Sequence, residues 1–98
     1  MQAVVNTNNI KQESISEKLD YLLEQADTST KNDVENSIVA MGAKVVKFLV
    51  EKLTQLKGLQ RGIVAMSLIR IGESSVAPLK ALAVENDEYQ WIVHHIGY

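Results

Sequence analysis

The sequence predicts an all-α domain of five to six helices, and three observations carry that prediction. Apolar residues recur at helical spacing along most of the chain, glycines follow the apolar runs where helices stop, and the chain repeats itself at a distance of 30 residues. No window alternates polar and apolar residues over strand length between turn signals.

Residues 1–11 are polar, rich in Asn and without periodicity, and are expected to form a flexible tail ahead of a domain spanning 12–98. Ser14 and Glu17 have the spacing of a capping box, and Ile15, Leu19, Leu22, Leu23 and Ala26 then share one helical face. Asp27 to Thr30 breaks this first helix, and Thr30 is expected to cap a second one that runs to about Met41. Gly42 stops it, because only glycine takes the left-handed terminal turn without a side-chain penalty. A third helix follows over roughly Lys44 to Leu56, ended by Lys57 and Gly58. A fourth spans about Leu59 to Ile71 and stops at Gly72. Ser74 or Ser75 caps a fifth, in whose first turn Pro78 is tolerated because the amides there lack partners in any case. Asn86 or Asp87 caps a sixth that ends near Ile96.

The repeat is visible residue by residue. A shift of 30 places Val34 on Val64, Ser37 on Ser67, Ile38 on Leu68, Met41 on Ile71, Gly42 on Gly72, Val46 on Val76 and Leu49 on Leu79, and five of these seven pairs are identical. A weaker echo sets Tyr89, Ile92, Val93, Ile96 and Gly97 on Val64, Ser67, Leu68, Ile71 and Gly72. Each helix pair then has apolar faces on two sides, and neighbouring pairs must stack to bury them.

The run Arg61-Gly-Ile-Val-Ala-Met-Ser-Leu-Ile-Arg-Ile-Gly72, followed by Val76, Pro78, Leu79 and Leu82, resembles the short HEAT-like repeats first named from phycobilisome lyases. The preceding repeat departs from the pattern with Lys31 at the Arg position and Phe48 at the Pro position, and the last has Asn86 where the Arg would be. The resemblance covers residues 31–98. It implies a short right-handed α-solenoid: an N-terminal capping helix, two helix pairs and the first helix of an incomplete third repeat. It further implies a protein-binding scaffold or adaptor, with a chromophore-lyase-like subunit and a nucleic-acid-binding solenoid as the alternatives. Fold alone does not choose among them.

Composition narrows the field. At 98 residues the chain is one domain, expected to bury about 60 to 65 per cent of its unfolded surface. A formal charge of -2 provides no general attraction for phosphate, which argues against nucleic acid and anionic membranes as partners. With no cysteine, disulfides, thiolate metal sites and thiol nucleophiles are excluded together, and the expected compartment is the reducing cytoplasm. Met1 to Gln12 has neither the basic start nor the apolar run of a secretory signal or anchor.

Chemistry-bearing residues are few. His94 and His95 are adjacent, so on a helix they point about 100 degrees apart and make a poor metal pair. No Ser, Cys or paired carboxylate is placed to complete a catalytic constellation, and the chain is read as a non-enzyme that needs no cofactor or metal. Glu85, Asp87 and Glu88 surround a helix start and suit its free amides. Lys44, Lys47, Lys52, Lys57, Arg61 and Arg70 read chiefly as a solvated basic face. Met41 and Met66 read as core filler, and Ser37 and Ser67 as small inward residues bonding back to a preceding carbonyl. In HEAT-like folds the second helix of each pair lines the concave side, so the resemblance makes Lys44, Lys47, Glu51 and Lys80 the expected partner surface. Tyr89, Ile92, Val93 and Ile96 should face the preceding pair, leaving Trp91, His95 and Tyr98 as a second stripe. A complete repeat would cover that stripe with its own second helix, so the stripe is expected to be covered by a further part of a longer chain, by a second copy or by a different protein, with self-association through the C-terminal helix the favoured reading.

Overall fold

The computed structural model describes the backbone of residues 7–97 and the side chains of residues 14–97. These residues are all-helical: α1 (Thr7–Gln25), α2 (Lys31–Ala40), α3 (Val46–Gln55), α4 (Gly58–Ile71), α5 (Val76–Glu85) and α6 (Gln90–Ile96). Single 3-10 turns join several of them, at Gly42–Val45, Gly72–Ser75 and Asp87–Tyr89.

The first helix begins at Thr7, seven residues before Ser14. Ser14 and Glu17 are therefore interior helical positions and not a capping box, and residues 7–11 of the expected tail are helical. No Pro or Gly stands between Thr7 and Ser14, and a nucleated helix gains a hydrogen bond for each residue it adds. Met1–Asn6 and Tyr98 lie outside the described residues.

The α1–α2 turn is organised by Asp27 and not by Thr30 as a cap. Asp27 Oδ1 accepts the backbone N–H groups of Ser29 and Thr30, both at 2.9 Å, and the Ser29 hydroxyl at 2.7 Å. Thr30 Oγ1 accepts the Asp27 N–H at 3.0 Å, and its side chain makes no capping bond to α2. Those bonds, first the Ser29 hydroxyl and then the two amides, hold the Asp27 carboxyl below the usual carboxylate range.

The 30-residue shift survives in three dimensions. Gly42 and Gly72 have φ of 74° and 86°, each opens a 3-10 turn, and α3 and α5 occupy the same ten positions after them. Burial follows the same order: Val46 and Leu49 are buried, as are Val76 and Leu79. Val45 is 0% exposed, and so is Ser75 in its place.

No side-chain cap forms at Ser75. A serine at this point would ordinarily bond an N–H in the first turn, and the third residue of α5 is Pro78, which has none. The Ser75 hydroxyl is left buried without a partner. Neither Asn86 nor Asp87 forms the side-chain cap expected before α6.

α4 is the centre of the packing, in contact with α2, α3 and α6, while α5 packs on α3 and α6 and α1 on α2. That position explains its apolar sequence. Ile63, Val64, Ala65, Ser67 and Leu68 are all buried, and the Ser67 hydroxyl donates to the Ile63 carbonyl at 2.7 Å. Ser37 does not share this environment. It is exposed, because α2 buries only Val34 and Ile38.

Taken as one run, Gly58–Glu85 has the length and composition of a membrane span, with a mean hydropathy of 1.2 over its most apolar window. Gly72 divides it into α4 and α5, of 14 and 10 residues, each short of the ~20 a bilayer requires.

Candidate interaction surfaces

Side-chain links between helices fix the outer faces. The Lys52 ammonium pairs with the Asp20 carboxylate, tying α3 to α1, and Gln60 Nε2 donates to the Leu23 carbonyl at 2.9 Å, tying α4 to the end of α1. Arg70 Nη1 reaches Glu35 Oε2 at 2.9 Å and Asn36 Oδ1 at 2.7 Å. Arg61 Nη2 lies 3.2 Å from Glu88 Oε2, with its guanidinium 5.4 Å from the centre of the Tyr89 ring. Three of the six cations read as a solvated face thus clamp neighbouring helices. Exposed pairs of this kind contribute about 0 to 1 kcal/mol each and act mainly by setting geometry. Tyr89 is itself 5% exposed, and burial, then the adjacent Glu88, raises its phenol above the ordinary value.

Of the expected partner surface, Lys44, Lys47, Glu51 and Lys80 are all exposed. Lys47 and Glu51 are one turn apart on α3, with Lys44 just before them, and the Lys47 ammonium stands 5.2 Å from the centre of the Phe48 ring. Lys80 stands apart from these three. A shift of 30 carries Lys47 and Glu51 to Ala77 and Ala81, whereas Lys80 corresponds to the half-buried Val50. It lines a groove between α5 and α6 with Ala83, Val84, Gln90, Val93 and His94.

At the C-terminal end, Tyr89 in the turn before α6 and Ile92 and Val93 on α6 are buried, and Ile96 packs against the core, as their spacing required. Trp91 is 46% exposed, and its ring meets that of His95 edge to face at 5.6 Å, with His95 Nδ1 2.9 Å from the Trp91 carbonyl oxygen. The third member of that stripe, Tyr98, is outside the described residues. Met66 corrects another expectation. It is 43% exposed and borders a groove of about 380 Å³ between α2 and α4, because it lies on the side of α4 opposite the buried Val64 and Leu68.

Tyr21 and Val84, exposed at 62% and 83%, were not among the expected surface residues. The signal for Tyr21 was present: it lies opposite the Leu19–Leu23 face of α1. Among the described residues no three His, Asp or Glu side chains gather as a metal site would require. No family model, curated protein or solved structure matches this chain.

Proposed function

We propose that the chain is a short HEAT-like solenoid that serves as a protein-binding scaffold in the cytoplasm, without catalytic machinery of its own. The observation that carries this reading is the matched pair of units. α2 with α3 and α4 with α5 each turn at a positive-φ glycine, 30 residues apart, and α4 packs on α2 as α5 packs on α3. The elongated form, 48 × 31 × 21 Å, supports it, since stacked pairs grow in one direction. Scaffolds of this construction bind through the exposed faces of consecutive helices, and here Lys47 and Glu51 on α3, with Lys44 in the turn before it, supply such a face. A face carrying two lysines and one glutamate suits a protein segment with acidic residues better than an extended phosphate backbone.

Affinity capture tests the proposal, comparing wild type with Lys44→Glu/Lys47→Glu in nuclease-treated and untreated lysate. The expected result is a protein retained in both lysates by the wild type and lost from the double variant. Recovery abolished by nuclease, or a bound coloured tetrapyrrole, would replace the scaffold with the nucleic-acid or chromophore-lyase alternative.

A further inference from the structure

We propose that the chain associates head to tail, the outward face of α1 on one copy docking into the groove between α5 and α6 of the next. The inference does not depend on the scaffold reading and starts from the order of the helices. α1, α3 and α5 follow one another in a row: Lys52 on α3 holds Asp20 on α1, and α3 packs on α5. The next place in that row lies on α5 beside α6, and it is the place of the groove.

The groove holds about 330 Å³, near the lower limit of volumes that accept a small organic group. Ala83 and Val93, 5% and 7% exposed, form its apolar floor, and Val84 stands almost fully exposed at its rim. Lys80, Gln90 and His94 provide polar groups around it.

The outward face of α1 is its complement. Tyr21 projects from the middle of that face, with the exposed Glu17 one turn before it and the exposed Glu24 about one turn after. Lys18 also lies on this side, so among the described side chains the face carries two carboxylates and one ammonium. An aromatic ring flanked by two carboxylates matches an apolar groove bordered by the Lys80 ammonium and hydrogen-bonding side chains. The occupant α1 continues the contact that α3 makes with α1 and α5 makes with α3. Such a contact joins two different surfaces, so it propagates into short open chains unless a ring closes.

Sedimentation velocity over a concentration series decides the matter, using wild type, Tyr21→Glu and Val84→Glu. Both positions are exposed, so circular dichroism should show unchanged helicity in each variant. The wild type is expected to sediment faster as concentration rises, and each variant alone to remain monomeric. Their equimolar mixture should form a one-to-one dimer, because Tyr21→Glu keeps an intact groove and Val84→Glu keeps an intact Tyr21. A wild type that stays monomeric throughout would overturn the proposal. So would association that survives Tyr21→Glu, which would move the contact to a two-fold face such as the Trp91 edge, or a mixture that forms no dimer.

Discussion

Ser75 stands where Val45 stands 30 residues earlier, and both side chains are fully buried, yet the Ser75 hydroxyl has no hydrogen-bond partner. An unsatisfied buried hydroxyl costs about 1 to 3 kcal/mol. Ser75→Ala should therefore raise stability by about 1 kcal/mol, read as a higher urea midpoint at unchanged slope. Ser75→Val, which restores the side chain of the other unit, should be at least neutral. A loss of more than about 1 kcal/mol in the alanine variant would mean that the hydroxyl is satisfied in solution, by water or by a carbonyl.

Two glycines should respond to alanine in opposite directions. Gly72 has φ 86° and ψ -129°, a region closed to side-chain-bearing residues, so Gly72→Ala should destabilise by about 1 to 3 kcal/mol. Gly62 lies within α4, exposed and with open space where a Cβ would sit. Gly62→Ala should stabilise by about 0.5 to 1 kcal/mol. Thermal or urea unfolding of the two variants side by side checks the contrast, and the same sign for both would contradict it.

Leu68 is 0% exposed in the helix that contacts α2, α3 and α6. Leu68→Ala should cost about 2 to 5 kcal/mol, the sum of lost burial and the cavity left behind. A cost below about 0.5 kcal/mol in denaturant melts would mean that this face of α4 is not in the core.

The helical architecture was readable because its signals are local. Gly42 and Gly72 end apolar runs, and the helical spacing of Ile92, Val93 and Ile96 by itself marks their inward face. What was not readable depends on neighbours. Ser37 and Ser67 occupy one repeat position, but α4 is covered by helices on more sides than α2, so only Ser67 is buried. Arg70 finds Glu35 across 35 residues of sequence, a pairing that no helical spacing encodes. Lys80 was grouped with Lys44, Lys47 and Glu51 as exposed residues of second helices, whereas its register turns it toward α6 and the groove. The start of α1 failed for a different reason: Ser14 and Glu17 match a capping pattern, but nothing before them breaks a helix.

Two titrating groups give the stability a dependence on pH, with the signs fixed by their shifts. Asp27 has its pKa lowered in the fold, so its contribution is present above the ordinary value near 4 and is lost as pH falls below it. Tyr89 has its pKa raised, so its contribution is present below about 10 and is lost as pH climbs through the folded value. Urea melts across pH should show Asp27→Ala flattening the acid limb and Tyr89→Phe the alkaline limb. Limbs unchanged by these substitutions would assign the dependence to other groups.

The central claim, consecutive helix pairs stacked with α4 at the centre, is tested most directly by native-state hydrogen exchange on a dilute sample. In such a stack the middle helix is covered on both sides and the end helices on one. Amides of α4 should exchange slowest, with α1 and α6 opening first. Slowest exchange in α1 or α6, with α4 opening ahead of them, would contradict the stacked arrangement.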